Sequence, residues 1–191
     1  PDWDYFFYEE LKKTSDVDFF LSGTMIQPFE SYINLDCGKN YTDFNEEKLL
    51  KELPAIKHYD FQGTHWQPSL IPVSTWKKVS GFSEEFSPGL GSDPDFNMKL
   101  WKIGVRLFKG LDKVRVYHFS SVSLRKKAWN NGARTFLLKW GVSIKFFKKH
   151  YLRSDEPFTD KLKNPQQNLT YYLSLIKCRV FYWYLKLTSR K

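Results

Sequence analysis

Cysteine is scarce in this sequence: only two occur among 191 residues, Cys37 and Cys178, in segments of opposite charge. Small secreted domains held by disulfides carry many more, so this number argues against a disulfide framework. A reducing compartment fits better, and we expect a cytoplasmic protein. The sequence also lacks an apolar run of the roughly 18 residues that a membrane-spanning helix needs. We therefore predict that no segment crosses a bilayer.

Acidic residues are scarce in the last third of the chain. Residues 124–191 contain 16 Lys and Arg but 3 Asp and Glu, whereas residues 1–123 contain 14 and 18. This division predicts a cationic tail that binds an anionic partner. Its interleaved aromatic residues could stack on single-stranded nucleic acid or lie on an anionic membrane surface. A third interpretation is a set of helices packed on the body with their lysines in solvent.

The hydrophobic patterns predict an α/β chain. Residues 17–26 are rich in β-forming residues and precede Pro28, which predicts a buried strand. Shorter strands are predicted at 105–108 and at 114–118, where alternation puts His118 on the face of two valines. Helices are predicted at 5–13, 45–53 (capped by Asn45 and stopped by Pro54), 74–79, 123–149 (interrupted at Gly132 and Gly141) and 171–187.

The stretch from Gly91 to Gly104 combines a helix start with two carboxylates. Asp93 is a good N-cap, Pro94 fits the first helical position, and Asp95 lies in the positive field of the first turn. Phe96, Leu100 and Ile103 form an apolar stripe, and Gly104 can end the helix. A carboxylate fixed at a helix start can act as a general base. The alternative is that both aspartates only stabilise the helix.

Three other places could carry chemistry. His118, at a strand end, is either a ligand of a divalent metal or a buried core histidine. The loop Gly63-Thr64-His65-Trp66 either offers an aromatic platform to a sugar or buries Trp66. The pair Asp2 and Asp4 has the Asp-x-Asp spacing that can hold a divalent cation against a diphosphate, but no strand precedes it to fix its position.

In this order the pieces resemble the C-terminal half of a family 2 glycosyltransferase with the GT-A fold, most clearly over residues 63–123. The run Val79-Ser80-Gly81-Phe82-Ser83-Glu84 resembles the Gly-Gly-Phe-Asp-Glu step of that family. Gly91-Ser92-Asp93-Pro94-Asp95-Phe96, with Lys99-Leu100 and Gly104, resembles its Gly-Glu-Asp-x-Asp-Phe segment. Further resemblance lies in Val116-Tyr117-His118 and in Lys139-Trp140-Gly141.

The resemblance implies transfer of a sugar from a nucleotide-sugar donor to a hydroxyl acceptor, such as a carbohydrate, with inversion. Asp93 falls on the family's general base. Ser92 stands where the family usually has Glu and Lys99 where Arg is common, so Asp95 can also take part. His118 falls where some members bind Mn²⁺ or Mg²⁺, which neutralises the leaving diphosphate. The substrate-binding residues implied are Gly63, Thr64, His65, Trp66, Gly91 and Ser92.

The resemblance also implies a nucleotide-binding half upstream of Pro1, because Pro1-Asp2-Trp3-Asp4 resembles the segment that follows the metal-binding Asp-x-Asp of the family. We therefore expect residues 1–123 to form the acceptor side of the catalytic domain. Residues 124–191 then form a basic, aromatic helical tail that contacts a membrane peripherally. The alternative function is a nucleic-acid-binding module that uses residues 124–191.

Overall fold

The computed structural model describes residues 2–29, 33–63, 67–119 and 131–188 of the chain. Within them the protein is a mixed α/β fold built around one mixed sheet. The strands are β1 (Phe19–Gln27), β2 (Ile33–Asn34), β3 (Phe61–Gln62), β4 (Ser69–Leu70) and β5 (Leu107–Tyr117). The α-helices are α1 (Trp3–Leu11), α2 (Glu46–Glu52), α3 (Val73–Lys78), α4 (Ser92–Lys102), α5 (Gly132–Trp140), α6 (Ile144–Phe147) and α7 (Leu169–Thr188).

Strand β1 lies at the centre of the sheet. It pairs in parallel with β5, Phe19 opposite Leu107, and β3 pairs antiparallel with the far side of β5. The other edge of β1 is shared by β4, which is antiparallel, and β2, which is parallel. Every residue of β1 except Gln27 is buried. A strand covered on both faces is expected to be apolar along its whole length, as this one largely is.

The β1–β5 pairing contains a shift in register at Gly23. Ser22 pairs with Gly110 but Thr24 pairs with Arg115, so β5 bulges between these two positions. Gly23 is required there, because a Cβ atom would lie 2.9 Å from both Pro68 Cδ and the carbonyl oxygen of Val114. The bulge is held by the Thr24 hydroxyl, which donates to the carbonyl oxygen of Leu111 at 2.9 Å.

The largest hydrophobic core joins α4 to the tail helices. It contains Phe20 and Phe108 of the sheet, Phe96 and Leu100 of α4, and an aromatic and aliphatic group from residues 131–188. That group is Phe136, Leu137, Val142, Phe146, Phe147, Leu152, Leu162, Tyr171 and Cys178. Among the described residues, no helix has both the length and the apolarity needed to cross a membrane.

Several local predictions are confirmed. Helix α2 begins after Asn45, whose side chain accepts a hydrogen bond from the backbone N–H of Lys48, and Pro54 lies in the short 3₁₀ turn that follows. Gly141 ends α5 with a φ of 71°. The two cysteines are free and buried in different clusters, Cys37 beside β2 and Cys178 on α7.

Four local predictions are wrong. Asp93 does not cap α4, because the helix begins at Ser92 and Gly91 occupies the cap position, and for the same reason Pro94 is the third helical residue and not the first. Ile103 is exposed, since it follows the last helical residue and leaves the apolar stripe. The two short strands predicted at 105–108 and 114–118 are one strand, β5, because pairing with β1 continues past the bulge. Residues 123–130 of the helix predicted at 123–149 lie outside the described residues.

Candidate active site at the start of helix α4

The first turn of α4 is set by a tight loop that contains two glycines. Gly91 has a φ of 87°, a left-handed conformation that glycine adopts without a steric penalty. Both the backbone N–H and the hydroxyl of Ser92 donate to the carbonyl oxygen of Gly89, at 3.0 and 2.6 Å. The Ser92 hydroxyl is thus turned back into the loop. Asp93 becomes the second residue of the helix, and Asp95 the fourth.

The carboxylate of Asp95 is fully buried and fully engaged. Its Oδ2 accepts a hydrogen bond from Ser83 Oγ at 2.6 Å, and its Oδ1 accepts one from Trp140 Nε1 at 2.7 Å. Lys139 Nζ lies 2.9 Å from the same Oδ1. Burial of a carboxylate is tolerated when charged and polar donors satisfy it, as they do here. Asp95 therefore holds the loop before α4 and the end of α5 to the helix.

Two lysines and one further carboxylate, that of Glu85, lie around Asp95. Lys139 also reaches Glu85 Oε1 at 2.5 Å, and Lys99 Nζ donates to the carbonyl oxygen of Gly81 at 2.6 Å. Burial alone would lower the pKa of Lys139, but its hydrogen bonds to Glu85 and Asp95 raise it overall. For Lys99 burial dominates and lowers the pKa. The positive charge of the Lys139 ammonium therefore balances the negative charge of the buried Asp95 carboxylate.

The carboxylate of Asp93 has a different environment. It is half-buried, and no side chain or backbone N–H in the described part of the chain donates a hydrogen bond to it. Burial raises its pKa above the ordinary value of 3.8. A carboxylate with a raised pKa and free lone pairs is a stronger proton acceptor than a fully hydrogen-bonded one. Of the two predicted catalytic residues, the geometry leaves Asp93 free to react.

The start of α5 packs directly against the loop that carries Asp93. A Cβ atom on Gly132 would overlap the carbonyl oxygen of Leu90 and lie 3.0 Å from the Gly91 nitrogen. Gly91 in turn would bring a Cβ atom within 3.1 Å of Gly132. Asn131 caps α5, its side-chain oxygen accepting from the Arg134 N–H at 3.0 Å. The N-termini of α4 and α5 therefore meet at this contact.

The remaining predicted substrate-binding residues are only partly described. Gly63 follows β3 and is buried, with its N–H donating to the carbonyl oxygen of Phe108 at 3.1 Å. A Cβ atom there would lie 2.8 Å from the carbonyl oxygen of Leu152, so glycine is needed at this position for the two backbone segments to approach each other. Thr64, His65 and Trp66 lie outside the described residues. Gly91 and Ser92 lie beside Asp93, as their sequence positions require.

His118 follows the end of β5 and lies apart from the aspartates. Its Nδ1 is 2.9 Å from Gln27 Oε1, at the carboxyl end of the neighbouring parallel strand. Burial lowers the pKa of His118, which favours the neutral imidazole. The hydrogen bonds and ion pairs of Asp93 and Asp95 do not include this residue. Asp93 and Asp95 thus lie in the same turn of α4, whereas His118 belongs to a separate hydrogen-bonded group.

At His118, the described residues offer one ligand to a divalent metal. A metal-binding histidine commonly donates one ring N–H to an oxygen that orients the imidazole, and the contact of His118 Nδ1 with Gln27 is of this kind. Within residues 2–29, 33–63, 67–119 and 131–188, no group of three or more His, Cys, Asp or Glu is arranged to hold a metal ion. Asp2 and Asp4, at the start of α1, are exposed.

The partners of Asp95 are the functional residues that sequence patterns did not identify. Ser83 and Lys139 lie 12 and 44 positions from Asp95, and a spacing in sequence cannot reveal a contact made by folding. The usable signals were two resemblances to family segments, that of residues 79–84, which include Ser83, and that of the Lys139-Trp140-Gly141 run. They marked these residues without giving their role.

A cleft of about 820 Å³ opens beside the start of α5. Its wall includes Asn131 and Arg134 from α5, Lys148 and Ser154 from the segment after α6, and Phe181 of α7. Burial lowers the pKa of Lys148. Ser154 also adjoins Gly63, so the cleft lies near two of the predicted substrate loops.

Comparisons with models of protein families, with curated protein sequences and with solved structures found no match to this chain.

Proposed function

We propose that this chain forms the acceptor side of a family 2 glycosyltransferase of the GT-A type. The enzyme would transfer a sugar from a nucleotide-sugar donor to a hydroxyl acceptor. The proposal is supported by the motif resemblance over residues 63–123 and by a mixed α/β fold with parallel central strands. It is also supported by the different environments of the two aspartates in one helix.

The half-buried, unpaired carboxylate of Asp93 carries the proposal. An inverting transfer needs one base that removes a proton from the acceptor hydroxyl, and this base must be rigid and accessible. Asp93 is fixed in the first turn of α4, while Asp95 holds that helix to Lys139 and Trp140. Asp95 is thus a positioning residue in this scheme, because its oxygens are already occupied.

The chemistry assigned to Asp93 is a single displacement. Its carboxylate accepts the proton as the acceptor oxygen attacks the anomeric carbon, and a new carbon–oxygen bond forms. The bond from that carbon to the diphosphate breaks on the opposite face, and the electron pair leaves with the diphosphate. The anomeric configuration inverts because attack and departure occur on opposite faces, as in inverting glycoside hydrolysis with water replaced by a hydroxyl.

A divalent cation, Mn²⁺ or Mg²⁺, is the cofactor we propose for the donor. When bound, it supplies positive charge to the diphosphate. His118 would contribute one nitrogen ligand, with Gln27 holding the imidazole in its orientation. The lowered pKa of His118 keeps the ring neutral, which metal binding requires.

The first test is the substitution Asp93→Asn in the full protein that contains this chain. Release of nucleoside diphosphate from a panel of nucleotide sugars, with carbohydrate acceptors, should fall by about 10²–10⁴-fold because the base is lost. Donor affinity, measured by calorimetry with Mn²⁺, should stay unchanged.

The substitution His118→Ala should weaken that Mn²⁺-dependent nucleotide binding.

The matched control is Asp160→Asn, which removes an exposed carboxylate from the segment between α6 and α7 and should leave turnover unchanged, because the asparagine oxygen can still accept from the Lys161 N–H. Full turnover in the Asp93→Asn enzyme would refute the assignment of the base. Unaltered nucleotide affinity in His118→Ala would return that residue to a structural role.

The alternative function, nucleic-acid binding by residues 124–191, has weaker support. Base stacking needs exposed aromatic rings, whereas Phe136, Phe146 and Phe147 are buried in the core. In the described tail, the exposed rings belong to α7. They lie among exposed aliphatic side chains of the same helix, and such a surface suits an apolar partner better than a strand of bases.

A further inference from the structure

Helix α7 is apolar on two opposite faces, and the part of the chain that the structure describes covers only one of them. The inner face follows the spacing four, three, four, three that places side chains on one side of a helix. It consists of Tyr171, Leu175, Cys178, Tyr182 and Leu185, which pack on the main core. Contacts such as Phe146 with Tyr171, ring centroids 5.1 Å apart, fix the helix to the body.

The outer face repeats the same spacing but carries exposed apolar side chains. They are Leu169, Leu173, Ile176, Val180, Trp183, Tyr184 and Leu187, with Tyr172 and Phe181 at the edges. At 1.5 Å per residue this stripe is about 30 Å long. An apolar surface of this extent rarely stays in water and indicates a binding partner.

Basic residues border the outer face on both sides. Lys145, Lys149 and Lys177 line the groove next to Phe181 on one side. On the other side, Lys186 Nζ lies 5.8 Å from the centre of the Trp183 ring. Helix α7 itself contains no Asp or Glu. An apolar stripe with three lysines on one side and Lys186 on the other complements a surface that is apolar inside and anionic at its boundary.

We propose that the outer face of α7 lies flat on an anionic lipid bilayer. The apolar side chains enter the boundary of the acyl chains, Trp183 and Tyr184 sit at headgroup level, and the bordering lysines meet anionic headgroups. A second copy of the chain fits less well, because two such helices would bring cations together with no acidic residue of α7 to pair them. The proposal is independent of sugar transfer.

Co-sedimentation of the full protein with lipid vesicles tests this surface. Vesicles of phosphatidylserine and phosphatidylcholine in equal parts should bind at least about tenfold more protein than phosphatidylcholine alone, since each Lys or Arg at an anionic surface adds about fivefold. Binding should weaken as salt is added. The double variant Val180→Ser with Tyr184→Ser should lose about tenfold in partitioning, because buried apolar area is removed.

A matched control makes the same changes elsewhere. Val73 and Tyr8 are 69% and 57% exposed, close to the 66% and 58% of Val180 and Tyr184, but they lie on α3 and α1. Val73→Ser with Tyr8→Ser should bind vesicles like the unaltered protein. A charge variant, Lys177→Gln with Lys186→Gln, should lose the preference for phosphatidylserine and provides a second measurement if the apolar variant folds poorly.

Three results would overturn the proposal. The first is equal vesicle binding by the α7 and control variants. The second is a dimer in sedimentation that the Val180 and Tyr184 changes dissociate, without vesicle binding. The third is salt-sensitive binding of single-stranded oligonucleotides through the same residues, again without vesicle binding.

Discussion

Asp93 and Asp95 lie two positions apart in one helix, yet their chemistry differs because their neighbours differ. Ser83, Lys139 and Trp140 satisfy both oxygens of Asp95 in a buried site. Asp93 is partly buried without such bonds, and this burial raises its pKa. At the residue scale, the carboxylate of Asp95 therefore stabilises the fold, whereas that of Asp93 accepts no hydrogen bond from the described residues.

This difference predicts opposite effects of two identical substitutions. Asp95→Asn should lower the free energy of unfolding by about 2–4 kcal/mol, because Lys139 loses a buried partner and one oxygen becomes a donor facing donors. Asp93→Asn should leave that free energy unchanged or raise it by up to about 1 kcal/mol, since a desolvated charge is removed. Urea unfolding at neutral pH measures both values.

The pH dependence provides an internal check on Asp93. Its folded pKa lies above 3.8, so the folded state holds the proton more tightly than the unfolded state. The stabilisation by that proton is present at low pH and is lost as the pH rises through the raised pKa. This loss should disappear in Asp93→Asn. A larger destabilisation by Asp93→Asn than by Asp95→Asn would contradict the assigned roles.

At the scale of elements, the contact between the Gly91 loop and α5 holds Asp93, the base that we propose, in place. Gly132→Ala should lower the free energy of unfolding by about 1–3 kcal/mol, because the new methyl group overlaps the Leu90 carbonyl oxygen and must push the loop away. The displacement moves Asp93, so sugar transfer should fall as well. Urea unfolding and the nucleotide-release assay measure the two effects.

Gly104→Ala is the control for that prediction. Gly104 has a φ of 99° and open space around it, so alanine there adds backbone strain of about 1–2 kcal/mol without a clash. It should reduce stability to a similar degree yet preserve transfer, since Gly104 follows the opposite end of α4 from the Gly91 loop. If both variants lost transfer equally, the contact with α5 would not be what positions Asp93.

The sequence predicted elements whose signals are local and missed features made by folding. Helix α2 has its own cap and stop in Asn45 and Pro54, so its limits were predictable. The cap of α4 was misplaced because the glycine conformation at Gly91 overrides the usual preference for aspartate. The bulged strand β5 and the partners of Asp95 depend on residues far apart in the chain. No local pattern encodes either of them.

On the scale of the whole molecule, the distribution of charge separates the tail from the rest of the chain, whereas the hydrophobic core does not. The basic residues are concentrated after residue 123, yet the helices there share one core with α4 and the sheet. Phe147 of α6 packs on Phe136 with ring centroids 6.1 Å apart, in the same cluster as Phe96 and Phe108. Charge thus separates the surface of the tail from the body, while apolar packing joins their interiors.

A shared core predicts that the body and the tail unfold together. Phe147→Ala should lower the free energy of unfolding by about 3–5 kcal/mol, and it should shift one common transition seen by far-ultraviolet circular dichroism and by tryptophan fluorescence. The exposed change Ile176→Ala should cost less than about 0.5 kcal/mol. Two separate transitions, with only one shifted by Phe147→Ala, would instead mean that residues 131–188 fold as an independent unit.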